Sequence, residues 1–405
     1  MVRIALISDI HFGKLSRTDE FTVPGEPIQD ENEGAISLMN SLVTVLKENN
    51  VQYIFVAGDL TSIGSPQEFH YCEQKILSIA QDAGIPQDQI ILGLGNHDID
   101  WRISRICDDY ADSIGKDFPI ELVREKYQLI AASVPLYNMN QLTQPSECGP
   151  APFSGLVEND KFIVFILNSG WCCTHDQSFS HGKLTTDQLE WFRLATERYK
   201  ADTRWKIVLM HHHPFNYSYH IPSIDISMIE EGSSFLDIAG KNGINLVLHG
   251  HRHHPKAETT FKNGWEHPII FVCAGSLTVN SGHRSNGDIP NTLHIIELAK
   301  EPGVLTLYNF QYSPAQGWIQ LKNNCPETPL DFEMMLGKLY DSNVINKSIF
   351  NLTAHENEIL WKDLDDCLRF LTVDELNKKV KTLLSDTHKM IGLFPGEVIL
   401  IKKCG

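Results

Sequence analysis

Five short blocks of oxygen- and nitrogen-bearing side chains stand at the ends of apolar runs: Asp9-x-His11, Gly58-Asp59, Gly95-Asn96-His97-Asp98, His211-His212-His213 and Gly250-His251-Arg252-His253. Carboxylates, amides and imidazoles gathered in this way are costly to bury unless a positive charge sits among them. Asp9 and His11 lie two apart after a β-type run, and alternation along an extended segment would turn both toward one ion. His251 and His253 repeat that spacing. Asp59 is placed to act as a shared ligand, and Asn96 adds a neutral oxygen. Three consecutive imidazoles cannot all point one way, so His211, the first after its strand, is the expected ligand. His212 or His213 would hydrogen-bond within the loop or contact substrate. His97 can offer a proton or a hydrogen bond to a phosphate oxygen or leaving group.

Taken together, Asp9, His11, Asp59, Asn96, His211, His251 and His253 form a mixed oxygen and nitrogen set. Such a set suits two divalent ions of the Mn, Fe or Zn type better than Ca²⁺. No thiolates accompany them, which speaks against a structural zinc site. Cys172-Cys173 beside His175 imitates a metal site, but adjacent cysteines serve one tetrahedral ion poorly. His249 and His254 are expected to support the ligands rather than hold metal.

The elements that must carry these blocks alternate between strand and helix. Residues 3–8, 53–57, 90–94, 162–167, 206–210, 246–248 and 269–272 read as strands. Helices are predicted from about 33 to 49, from 66 to 83, and from Thr185-Thr186-Asp187 to about 200. Residues 100–152 mix aromatic, Asp and Pro residues and read as an insertion able to roof the site. Two apolar runs, 293–298 and 304–310, flank Glu301-Pro302-Gly303, a hairpin signal. That hairpin suggests a second, more antiparallel sheet packed on the first. Past 326 the chain reads as a small, mostly helical C-terminal appendage.

The five blocks resemble the pattern of the calcineurin-like metallophosphoesterase superfamily. Within it the chain looks most similar to the class III cyclic-nucleotide phosphodiesterase branch, on three grounds. These are His211-His212-His213-Pro214, the stretch His181-Gly182-Lys183-Leu184-x-x-x-Gln188-Leu189-x-Trp191, and Ala274-Gly275-Ser276. The resemblance implies an α/β fold, a four-layer αββα sandwich of two mixed sheets flanked by helices. It would occupy residues 1–325, with the appendage at 326–405. It also implies that Asp9, His11 and His253 bind one metal and Asn96, His211 and His251 the other, with Asp59 between them. Asn96, His97 and His212 would meet the substrate, with His97 as the acid.

The expected reaction is hydrolysis of a small phosphodiester. A nuclease, a phosphomonoesterase or a metal-binding scaffold without turnover are the competing readings. All seven ligand types are present, which disfavours the scaffold. The formal charge of −17 on 405 residues disfavours non-specific attraction to nucleic acid. No secretory leader is evident before the first strand, and no apolar run is long enough to span a bilayer. Nine cysteines, an odd number without zinc-finger spacing, suit reduced thiols and a cytoplasmic setting. Self-association would run through the insertion or the appendage.

Overall fold

The computed structural model describes residues 1–27, 31, 33–100, 113, 146–151, 153–170, 173, 181–216, 227–283, 289–321, 330–352, 361–384, 388–390 and 400–402. Most of the expected insertion lies outside these residues, as do Cys172 and His175. The chain starts with β1 (Val2–Ile7), α1 (Leu38–Glu48), β2 (Tyr53–Ala57), α2 (Pro66–Ala83) and β3 (Ile90–Gly93). Then follow β4 (Glu147–Cys148), β5 (Gly155–Glu158), β6 (Phe162–Ile166), α3 (Thr186–Arg198) and β7 (Trp205–Leu209). Next are α4 (Gly232–Lys241), β8 (Leu246–His249), β9 (Lys256–Thr260), β10 (Ile269–Cys273), β11 (Thr292–Leu298), β12 (Leu305–Ser313) and β13 (Gly317–Gln320). The last elements are β14 (Glu333–Leu336), α5 (Ser342–Asn351), α6 (Asp366–Arg369), α7 (Val373–Leu384), β15 (His388–Met390) and β16 (Leu400–Lys402).

One sheet has the order β13-β12-β11-β1-β2-β3, with β14 also on β12; the other runs β4-β5-β6-β7-β8-β10-β9. Strands β1, β2 and β3 are mutually parallel, as are β6, β7, β8 and β10. The hairpin at Glu301-Pro302-Gly303 forms as expected, joining β11 to β12. It does not found a second sheet, however: β11 pairs antiparallel with β1 and extends the first one. The second sheet is built instead around parallel strands whose apolar runs are buried on both faces.

Strand alternation explains the layers. In β1 and β2, Ala5, Ile7, Ile54 and Val56 face α1 and α2, while Ile4, Leu6 and Phe55 face the other sheet. In β6 and β7, Val164 and Ile207 meet them from across the interface, while Ile163, Phe165 and Val208 pack on α3 and α4. The result is the αββα sandwich.

Helix ends follow local chemistry. Helix α1 begins at Leu38 rather than near 33 because Ser37 caps it, its Oγ accepting from the Asn40 N–H at 3.0 Å. Helix α2 opens with a Ser65–Glu68 capping box and Pro66, and ends on left-handed Gly84. Among the described residues no helix is long and apolar enough to cross a membrane.

The stretch after 326 does not start with a helix. Its first strand, β14, pairs with β12, and helices α5 to α7 follow around a separate small core of Ile345, Ile349, Leu364, Leu368, Leu376 and Val380. Asp331 ties that core to the first sheet. Its Oδ2 accepts the Val373 N–H at 2.7 Å, while Asn309 of β12 donates to the Asp331 carbonyl at 2.6 Å. Burial, opposed by that N–H and helped by Glu375 and Asp374, pushes the Asp331 carboxyl up to about 6, from an ordinary 3.8. A carboxyl with a raised folded-state pKa holds its proton more tightly when folded. Its contribution to stability is present below the unfolded value and is lost as pH rises toward 6. Asp331→Asn keeps the acceptor and removes the ionisation. Relative to the natural chain, its urea-unfolding free energy should rise by on the order of 1–3 kcal/mol more at pH 8 than at pH 4. An equal difference at the two pH values refutes this.

Candidate metal centre

All five blocks follow the carboxyl ends of parallel strands. Asp9 lies beyond β1, Asp59 beyond β2, Asn96 beyond β3, His211 beyond β7 and His251 beyond β8. The ladders continue into the loops: Asp9 N donates to Gly58 O at 3.0 Å, His11 N to Asp59 O at 2.9 Å, and Gly250 N to His211 O at 3.0 Å. Leu277 N donates to Ser8 O at 3.0 Å, and His251 N donates to Asp9 Oδ2 at 3.1 Å, so the two sheets are stitched at this seam.

The site falls into two overlapping groups. Ligand atoms of Asp9, His11, Asp59 and His253 lie within 4.8 Å of one another, as do those of Asp59, His211 and His251. Asp59 belongs to both. In the first group His253 Nε2 is 3.1 Å from Asp9 Oδ1 and 3.2 Å from His11 Nε2. In the second, His211 Nε2 is 3.2 Å from Asp59 Oδ2, and Asn96 Oδ1 joins 2.9 Å from His251 Nδ1. Asp9, His11, Asp59 and His211 form a buried floor, while Asn96, His97, His251 and His253 are half-buried at the open edge.

The backbone reaches this arrangement differently from the expected extended alternation. Asp9 (φ 51°), His11 (φ 47°), Asp59 (φ 51°), His251 (φ 72°) and His253 (φ 50°) are all left-handed. An extended segment would pass an ion along one edge, whereas left-handed residues fold the chain around it. Non-glycine residues adopt this conformation at a cost of about 1–2 kcal/mol each, and such strain gathers at functional sites.

The chain belongs to the calcineurin-like phosphoesterase family. A model of that family matches residues 2–255. No curated protein sequence matches the chain. Solved structures with a similar fold include a dimetal phosphatase from Danio rerio, at 10% identity and TM-score 0.45, covering 76% of this chain and 95% of that one. A purple acid phosphatase from yellow lupin (Lupinus luteus) seeds is similar at 13% identity and TM-score 0.46, covering 84% of this chain and 54% of that one. Vps29 from Chaetomium thermophilum is similar at 10% identity and TM-score 0.35, covering 84% of this chain and 97% of that one.

The donor set of this phosphoesterase fits divalent ions. Asp9 Oδ1 and His211 Nε2 are buried without a well-aligned hydrogen bond, their nearest charged neighbours being His253 Nε2 at 3.1 Å and Asp59 Oδ2 at 3.2 Å. His211 Nδ1 sits 2.7 Å from the Ala57 carbonyl, an acceptor only, so that nitrogen donates and Nε2 is left to face Asp59. Burial would raise both carboxyls, yet imidazoles outweigh it, chiefly His253 for Asp9 and His211 for Asp59, and hold both well below the usual carboxylate range. Burial opposes a charged His211 as well, but Asp59 prevails and pushes it up to about 9. The two carboxylates demand a neighbouring positive charge, which is what a bound cation supplies.

Other expected residues are placed as follows. His97 sits edge-on to His11 with ring centroids 4.5 Å apart, and its Nδ1 donates to the Ser62 carbonyl at 2.9 Å. His212 is fully buried, with Nδ1 2.9 Å from Ser169 Oγ, and its ring centroid lies 4.3 Å from that of His251. That places it behind His251, away from the open edge. His249 is buried with its Nδ1 3.4 Å from the Gly250 carbonyl. Gly182, of the His181-Gly182-Lys183-Leu184 stretch, lies against the His212 ring with no room for a Cβ.

Several residues that the sequence reading passed over hold the loops. Asp98 accepts from Gly95 N at 2.9 Å, Thr61 N at 3.0 Å and Thr61 Oγ1 at 3.1 Å, joining the second block to the third. Its place in Gly-Asn-His-Asp was the available signal. Gly95 is required by close approach: a Cβ there would strike Asp59, reaching its backbone nitrogen at 2.5 Å. Gly95→Ala should therefore displace the shared carboxylate and weaken metal binding by about 10–100-fold. Metal content after equilibrium dialysis against Mn²⁺ checks this, with circular dichroism confirming the fold. Unchanged stoichiometry and affinity would show that Asp59 is not held as described.

Proposed function

We propose that this phosphoesterase hydrolyses a phosphodiester bond in a small substrate, using two divalent ions. The observation that carries the reading is Asp59, one buried carboxylate common to two ligand groups. Asp9, His11 and His253 would hold one ion, Asn96, His211 and His251 the other, with Asp59 shared. When bound, such a pair clamps phosphate oxygens and acidifies a water for in-line attack.

The remaining steps belong to the chain. The floor of Asp9, His11, Asp59 and His211 excludes water, so substrate enters past Asn96, His97, His251 and His253. With Nδ1 committed to Ser62, His97 presents Nε2 as its reactive nitrogen. Burial, partly opposed by Asp59, holds the ring down to about 4, so it is neutral in the free site at neutral pH. To serve the leaving oxygen as the acid it must therefore first take up a proton at Nε2. A proton delivered in this way contributes on the order of 10²–10⁴-fold.

The diester preference is supported by the residues that resemble the class III branch and by the acidic balance of the chain, −17 overall. Long-range repulsion opposes a monoester dianion or a polyanion more than a singly charged diester. Free thiols at Cys72, Cys148, Cys173, Cys273 and Cys367 support a reducing, cytoplasmic setting.

Paired assays on the Mn²⁺-loaded protein test this. The natural chain should hydrolyse bis-p-nitrophenyl phosphate faster than p-nitrophenyl phosphate, and Asp59→Asn should lower the diester rate by about 100-fold or more. Undiminished turnover in Asp59→Asn removes the shared-carboxylate reading. A monoester preference overturns the diester assignment alone.

A further inference from the structure

We propose that Glu68 is a positioning residue that anchors the turn 61–65 and, through Ser62, sets the ring of His97. The inference rests on the role given to His97 above and extends it to a carboxylate outside the five blocks.

The turn clasps both sides of the centre. On one side Thr61 Oγ1 donates to the His97 carbonyl at 3.0 Å and to Asp98 Oδ1 at 3.1 Å, and the Ser62 carbonyl receives the His97 ring. On the other side Ser62 Oγ donates to the His11 carbonyl at 2.8 Å, and Ser62 N donates to Phe12 O at 3.0 Å. Few residues therefore fix the separation of the His11 and His97 loops. The turn itself is fastened from α2: Glu68 Oε2 accepts the Ile63 N–H at 3.1 Å and the Ser65 N–H at 3.3 Å. The Ile63 N–H belongs to the same peptide unit as the Ser62 carbonyl, so the carboxylate oxygen holds the very peptide that receives the His97 ring.

A capping glutamate ordinarily lies in solvent, where its carboxylate is well hydrated. Glu68 is only 2% exposed. Burial pushes it up to about 7, opposed by the Ile63 and Ser65 N–H groups and helped by Glu26. A side chain at Gly13, two residues past His11, would run into Glu68 Oε1. The helix cap alone would not require a carboxyl group buried this deeply. Rigid support for Ser62 would, because a misplacement of about 1 Å in a reacting group can cost about 10²-fold in rate.

The test uses the full chain loaded with Mn²⁺ and bis-p-nitrophenyl phosphate. Glu68→Ala should lower kcat by about 10–100-fold, with KM within about threefold and two metal ions per chain retained. Glu68→Gln keeps an oxygen for both N–H groups and should stay within about threefold of the natural kcat. Glu68→Asp keeps the charge but withdraws the acceptor by one methylene, and should fall about tenfold or more. His97→Ala is the control arm. If His97→Ala is fully active, the reading of His97 fails and this proposal with it. If His97→Ala is impaired, natural kcat in both Glu68→Ala and Glu68→Asp overturns the proposal alone. Metal loss parallel to the kcat loss, or no rescue by Glu68→Gln, also overturns it, because either marks a merely structural role.

Discussion

Two buried carboxylates, Asp9 and Asp59, set the terms for everything around them. Each is 1% exposed or less, and an ionised carboxylate in that position is tolerable only with charge or donors close by. The backbone supplies part of the compensation, through His251 N to Asp9 and His97 N to Asp59 at 2.8 Å. Imidazoles supply a further part, and they arrive from four separate loops, those after β1, β3, β7 and β8. Bringing those loops and the Asp59 loop within a few ångströms forces five non-glycine residues into left-handed backbone. At about 1–2 kcal/mol each, that strain is comparable to the whole net stability of an ordinary domain, roughly 5–15 kcal/mol.

Such strain survives only on a scaffold that cannot relax. The parallel strands provide it: β1, β2, β7 and β8 are held by ladders on both sides, β3 by β2 alone, and all by packed side chains above and below. Ile4, Leu6, Phe55, Val164, Ile207, Leu248 and Val272 interlock between the sheets, all at 2% exposure or less. Removing one large aliphatic side chain from a layer of this kind costs about 2–5 kcal/mol. The sheet-to-sheet core and the metal centre are therefore coupled: neither sheet alone brings together Asp59 and His211. His251 and Asp9 face each other only because the carboxyl ends of both sheets meet at one seam.

Much of this could be read from sequence because buried parallel strands announce themselves as continuous apolar runs, and a polar block directly after such a run is conspicuous. That is why Asp9, His11, Asp59, Asn96, His211, His251 and His253 were identified together and converge in space. The left-handed backbone was not visible, because Asp and His carry no residue-level mark of it, unlike glycine. The i, i+2 spacing therefore suggested the right neighbours through the wrong conformation. The β11–β12 hairpin was equally plain from Glu301-Pro302-Gly303, yet its partner was not, since hairpin periodicity is silent about which edge the pair will join. It closed on β1, and the second sheet grew from parallel strands instead. Likewise β14 was hidden in a stretch whose later helices dominate its texture. Supports such as Ser62, Asp98 and Glu68 act through single hydrogen bonds between residues distant in space, which composition cannot register.

Electrostatics joins the site to the chain as a whole. Bound as proposed, two divalent ions would bring a charge of +4 to a floor whose two carboxylates supply −2, giving a locally positive pocket in a protein of formal charge −17. At physiological ionic strength an approaching anion feels both the repulsion of the acidic surface and the attraction of the pocket chiefly within a Debye length, about 8 Å. Repulsion scales with the charge of the ligand, so a diester monoanion crosses this barrier more easily than a monoester dianion, and far more easily than a polynucleotide. In the near field the diester still has two non-bridging oxygens to offer a pair of cations. A substrate that is small and singly charged would thus lose least on approach, which is the electrostatic ground of the proposed phosphodiester reading.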